Sequence, residues 1–157
     1  MSTSNKKINR LTSASMDFDD CIKFLDALQH QSYSSPAYEA LLISAIIFYV
    51  RPFSENEKKN SINPSDPRVP DSVLSELSPD EHKLHDRLKK LRNKAIAHAE
   101  WSHHPTGVTA SRIIKAMPFS IWKHFRGQKE LQEFISLVRK VRRAVQLAQT
   151  AELRKLP

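Results

Sequence analysis

Glycine is nearly missing from this chain, with two residues in 157. Sheet-rich folds usually need more glycine for tight turns, so the shortage points to helices. A single cysteine, Cys21, rules out an internal disulfide and any cysteine-based zinc module, and it fits a reducing cytosol. No apolar run is long. The longest, residues 40 to 50, is interrupted only by Ser44 and falls short of the about 20 residues that cross a bilayer. The opening MSTSNKKINR lacks the apolar stretch of a signal peptide. These absences together lead us to expect a soluble, cytoplasmic protein with no membrane partner. The chain also lacks a Walker loop, a GxGxxG and a GxSxG, so phosphate-loop and serine-hydrolase chemistry have no support.

Acidic residues are outnumbered. Seventeen Asp and Glu stand against twenty-five Lys and Arg, a formal charge of +8. A net positive field raises encounter rates with polyanions. The length suits one domain with its own core.

Hydrophobic spacing predicts four helices. Residues 1 to 15 are rich in Ser, Thr, Asn and Lys, show no periodicity, and read as a flexible N-terminal arm. A first helix is expected over residues 17 to 31, with Phe18, Cys21, Ile22, Leu25 and Leu28 on one face and Asp17 as its cap. A second opens at Ser35-Pro36 and ends at Arg51-Pro52; being apolar nearly all round, it reads as the buried central helix. Residues 52 to 77 carry four prolines and read as a long loop. A third helix starts at Ser78, Pro79 and Glu81, a capping box, and continues to about residue 101 through Leu84, Leu88, Leu91 and Ala95. Residues 102 to 126 form an irregular insertion for which a short hairpin and a short helix are both open. A fourth helix is expected from about 128 to 153, with Leu131, Phe134, Val138, Val141, Val145 and Ala148 in its stripe. The sum is an all-α four-helix bundle, one domain over residues 16 to 157.

Late in the third helix stand Arg92, Asn93 and, after four spacers, His98. The apolar stripe of that helix, continued three residues past Ala95, reaches His98. Arg92 lies at the stripe's edge, and His85, seven residues earlier, shares its face. Arg92 and His98 are separated by about 240° and roughly 9 Å on a straight helix, so acting together requires a kink or a second copy of the helix across a two-fold axis. A histidine titrating near neutrality can take the proton of a ribose 2′-hydroxyl or give one to the leaving 5′-oxygen. Arginine stays charged and can hold the scissile phosphate in bidentate fashion. Asn93 can orient phosphate or water. Such chemistry needs no metal and leaves a 2′,3′-cyclic phosphate and a 5′-hydroxyl.

This Arg-Asn-x4-His pattern on a helix resembles the RNxxxxH motif of the HEPN superfamily, and YVRPF, residues 49 to 53, looks like small bacterial HEPN-like proteins. The resemblance implies a HEPN-type bundle and a metal-independent endoribonuclease, serving as a toxin, an antiphage effector or an RNA-processing factor. It also implies RNA as substrate, a homodimer with the motif helices facing each other, and an antitoxin or other protein partner. Arg92, Asn93 and His98 match the family positions in turn. Arg51 and His85 are weaker candidates for substrate contact; Arg51 can equally well cap the last carbonyls of its own helix.

A plainer reading stands beside this one. A histidine on an apolar face is usually a satisfied core or interface residue, and the same residues then serve a non-catalytic helical module that dimerises or binds RNA, nucleotide or a protein partner. No metal or cofactor is expected. His98 and His103 lack the helical i, i+4 spacing, and no cysteine or acidic cluster completes a set with His82, His85 and His104. The basic residues Arg139, Lys140, Arg142 and Arg143 read as a solvated bundle face rather than an RNA-binding strip.

Overall fold

The computed structural model describes residues 3–33, 35–54, 69–96, 106–111, 114–116, 121, 125 and 127–156. Four helices carry the fold: α1 (Thr3–Leu28), α2 (Pro36–Val50), α3 (Pro79–Lys90) and α4 (Gln128–Leu153). α1 packs against both α2 and α4, and α3 leans on α4 and α2. The expected all-α four-helix architecture with intervening loops is therefore present.

Two expectations about α1 and α2 need correction. Residues 3 to 15 are not an arm; they form the first half of α1. The stripe of buried residues runs Leu11, Ala14, Phe18, Cys21, Leu25, Leu28, alternating three and four apart, so the helix face begins well before Asp17. Asp17 accordingly lies inside the helix, not at its start. Thr12 ties this half to α4 by accepting a 2.7 Å hydrogen bond from Gln149. α1, not α2, is the central helix. α2 buries Tyr38, Leu42, Ala45, Ile46, Tyr49 and Val50, while Ile43, Ile47 and Phe48 are only half-buried and Ala40 is exposed. The 18 residues Pro36–Phe53 reach a mean hydropathy of 1.2, long and apolar enough by composition to cross a membrane, with 39% of the stretch buried in the bundle.

Local chemistry sets the helix starts. At α2, Ser35 accepts from the Tyr38 amide at 3.1 Å and Pro36 takes the first helical position. At α3 the capping box closes in both directions. The Ser78 hydroxyl accepts from the Glu81 amide at 3.3 Å, and the Glu81 carboxylate accepts from the Ser78 amide at 2.7 Å. The Glu81 carboxylate also receives Lys140 of α4 at 2.7 Å, so the cap of one helix fixes its contact with another. α4 begins after Gly127, whose φ of 135° is a conformation that side-chain-bearing residues rarely adopt.

The two long connections return to the core. The expected loop over 52 to 77 has short 3-10 turns at both ends, Arg51–Phe53 and Asp71–Leu74, joined by a 3.1 Å bond from the Val69 amide to the Pro52 carbonyl; its middle, 55 to 68, lies outside the described residues. Val69, Val73 and Leu77 are buried. In the insertion over 102 to 126, a short hairpin stands among the described residues, while 102–105, 112–113, 117–120, 122–124 and 126 lie outside them. β1 (Thr106–Val108) pairs antiparallel with β2 (Ile114–Ala116), Gly107 opposite Lys115. Ile121 and Phe125 then enter the core. Glu39 accepts from the Ile121 amide at 3.2 Å, and the Tyr33 hydroxyl donates to the Phe125 carbonyl at 3.1 Å.

Candidate functional site

α3 presents Leu88 to the core and Leu91 follows it there just past the end of α3, as the three-four spacing predicts, with Leu84 packed at the edge. Beyond Lys90 the helix changes character. Leu91–Ile96 is a π-helical turn, with hydrogen bonds reaching one residue further than in an α-helix. Each residue in such a turn advances the helix by a smaller angle. The α-period that carried the stripe from Leu91 through Ala95 to His98 therefore stops applying at Leu91. His98 itself lies outside the described residues, as do His103 and His104.

Arg92 and Asn93 sit on this turn. Leu91 beside them is buried, Arg92 is half-buried and Asn93 exposed. Arg92 Nη1 donates to the Asn93 carboxamide oxygen at 2.9 Å. Among the described residues no carboxylate pairs with Arg92, nor with Lys89 or Lys90 just before it. Three cationic side chains thus stand within four residues.

The basic residues of α4 are placed differently. Lys140 meets Glu81 of α3, Arg142 Nε stands 2.5 Å from Asp19 of α1, and Arg139 lies 3.9 Å from Asp26. Arg87 of α3 reaches Glu130 at 3.7 Å and covers the Phe125 ring at 4.8 Å. These cations join helices to one another.

Arg51 and His85 are both tied into the bundle. Arg51 closes on the buried Asp17 with two contacts, Nε to Oδ2 at 3.0 Å and Nη2 to Oδ1, and its guanidinium lies 4.5 Å above the Phe48 ring. The hydrogen bond to Asp17 holds Arg51 more firmly charged than usual, with burial acting against it. Arg51 is the C-cap residue of α2 through its backbone amide, which donates to the Ile47 carbonyl, while its side chain turns to Asp17. His85 is 2% exposed. Its Nδ1 shares a 2.9 Å hydrogen bond with the Tyr49 hydroxyl, and Phe53 stands edge-on at 4.6 Å. Burial pushes its pKa down to about 4, with Lys89 adding to the effect, so the ring is neutral at pH 7. His85 is thus enclosed, while Arg92 is not.

Sequence spacing does not reveal Asp17 as a partner, because a carboxylate at the head of a periodic stripe looks like a cap; the signal that points to it is Arg51, a lone cation ending an apolar helix. Among the described residues, no group of three or more His, Cys, Asp or Glu stands close enough to hold a metal ion.

Comparison of the chain with family models, with curated proteins and with solved structures finds no match to any of them.

Proposed function

We propose that this chain is a small HEPN-like helical binding module that holds RNA through the turn carrying Arg92 and Asn93. The observation that supports it most is the state of Arg92. It stands on a π turn at the surface, bonded to a neutral carboxamide, whereas Arg139, Lys140 and Arg142 of α4 are drawn into ion pairs within the bundle. With no carboxylate partner among the described residues, the Arg92 guanidinium can take phosphate in bidentate fashion, and Lys89 and Lys90 add sequence-independent attraction. Irregular π turns within α-helices are frequent at functional sites. A cytoplasmic setting goes with an RNA ligand.

A second reading keeps the same turn and adds chemistry. In it the module is a metal-independent endoribonuclease, Arg92 holding the scissile phosphate, Asn93 orienting it and His98 moving the proton. The resemblance of Arg92-Asn93-x4-His98 to the HEPN motif favours it, and the partner that reading calls for is a second copy with its motif helix facing the first.

Binding of labelled single-stranded and transfer RNA, followed by fluorescence anisotropy in EDTA across a salt series, tests both. The binding reading expects Arg92→Ala to weaken affinity uniformly across sequences and to reduce the salt slope by about one. Cyclic-phosphate ends produced in EDTA and lost in His98→Ala would establish the cleaving form. RNA that neither binds nor is cut would reject both and leave a protein partner for this surface.

A further inference from the structure

One surface of the molecule has nothing to do with the motif. A groove of about 540 Å³ lies between the segment 72–77 and α4, lined by Val73, Glu76 and Leu77 on one wall and by Arg143, Ala144 and Leu147 on the other, with none of the motif residues among its lining. Its floor is apolar because Val73 and Leu77 are buried there. Between the longer Lys140, Arg143 and Leu147, α4 lines it with the small side chains of Ala144 and Ala148, which leave space that a larger side chain would fill. On its rim Leu147 is 64% exposed, the most exposed large hydrophobic side chain among the described residues. A leucine pointing outward beside an unfilled apolar hole is not satisfied by the monomer.

The charges of the two walls are also unmatched. Glu76 and Arg143 are exposed, and among the described residues neither forms an ion pair, although Lys140, one turn before Arg143, pairs with Glu81. A negative group on one wall and a positive group on the other give the patch a particular symmetry. A two-fold axis through the middle of the groove lays each wall over its opposite. Arg143 of one copy then meets Glu76 of the other, twice over, and each Leu147 comes down over the Val73 and Leu77 floor of its neighbour. Isologous contacts require this reciprocity, in which a residue and its partner exchange places between subunits. In a chain of net charge +8, a surface carrying one free charge of each sign is a place where two copies can meet without like-charge repulsion.

We infer that the groove between residues 72–77 and α4 is a self-association surface, occupied by the same groove of a second copy of this chain, with Leu147 as the knob and Glu76–Arg143 as the crossed ion pairs. The contact is separate from any pairing through the motif helix and does not depend on the RNA reading.

Sedimentation equilibrium of the full chain, over a range of concentrations and with helicity checked by circular dichroism, tests this. The parent is expected to dimerise. Leu147→Asp, at an exposed position the fold does not need, should shift it to monomer. Arg143→Glu and Glu76→Arg should each weaken association by at least about tenfold, because each sets like charges face to face. The double variant Arg143→Glu with Glu76→Arg should restore it, since the pairs re-form with signs exchanged. A parent that stays monomeric overturns the inference and leaves the groove to some other ligand. A dimer indifferent to Leu147→Asp and to both charge reversals also overturns it and points to the motif helix. A double variant that remains as weak as the single ones removes the crossed ion pairs.

Discussion

The Tyr49 hydroxyl and Nδ1 of His85, 36 positions apart in sequence, meet at 2.9 Å inside the bundle. Around them Phe18, Phe53 and Phe134 pack against the Tyr49 ring at centroid distances of 5.5 to 6.0 Å. A polar pair sealed among aromatic rings is expensive to leave half-made. Tyr49→Phe should therefore cost about 1–3 kcal/mol, seen as a lower urea midpoint with an unchanged slope. A midpoint equal to the parent's would mean that the bond contributes nothing.

The same residue gives the protein an acid sensitivity with a defined window. The His85 pKa is depressed from 6.5 to about 4 in the fold, chiefly by burial. Above pH 6.5 the ring is neutral in both folded and unfolded chains, and stability does not depend on it. As pH falls from 6.5 towards 4 the unfolded chain takes up a proton that the native ring refuses, so stability is lost, by at most about 3 kcal/mol. His85→Gln, which cannot titrate, should flatten the stability profile across that interval. A profile as steep as the parent's would place the acid sensitivity elsewhere.

Breaking the Arg51–Asp17 pair should have unequal effects. Arg51→Met leaves the buried Asp17 carboxylate without its guanidinium and should cost about 2–3 kcal/mol, the lower part of the range for a buried pair because the Arg51 side chain is 45% exposed. Asp17→Asn removes the buried charge itself and should cost less. Thermal unfolding of both variants and of the double variant Arg51→Met with Asp17→Leu measures this, and the double variant should recover much of the loss. Equal losses in the two single variants would refute the argument.

Glu81 serves both its own helix cap and Lys140, so Glu81→Ala should destabilise more than Ser78→Ala, which is expected to cost about 1 kcal/mol. The Glu81 carboxyl is held below its usual 4.5 by the hydrogen bond from Lys140 first and the Ser78 amide second. Its contribution is therefore complete above pH 4.5 and disappears as pH falls through the lowered value. Urea titrations at pH 7 and pH 3 should show the Glu81→Ala deficit shrinking at the lower pH.

Arg92→Ala should leave the fold nearly untouched, with a stability change within about 0.5 kcal/mol, because among the described residues its side chain bonds only its neighbour Asn93. Unfolding curves that superpose on the parent's, beside altered RNA binding, would mark a residue that works on a ligand. A large stability loss would instead make Arg92 structural.

The chain's helical character, the starts of α2 and α3, and the core positions Leu88 and Leu91 could be read from sequence. Each rests on forces acting within one or two turns: a serine bonding an amide three residues on, a proline at a first helical position, a leucine recurring on one face. The motif pattern was equally legible, since it is a local spacing. The beginning of α1 was less so, because Leu11 and Ala14 are isolated among polar residues and gain their meaning from the helices that α1 packs against.

Tertiary structure alone decided the fate of the charged and polar groups. Nothing local distinguishes Arg51 from Arg92, or His85 from any other histidine on a helix face. Arg51 is bound because Asp17, 34 positions earlier, lies buried beside it, and His85 is neutral because Tyr49 and Phe53 close over it. Arg92 lies on a π turn where, among the described residues, no carboxylate meets it. Coulomb energies and desolvation depend on distance and burial in three dimensions, and one-dimensional spacing carries neither once contacts span more than a few turns.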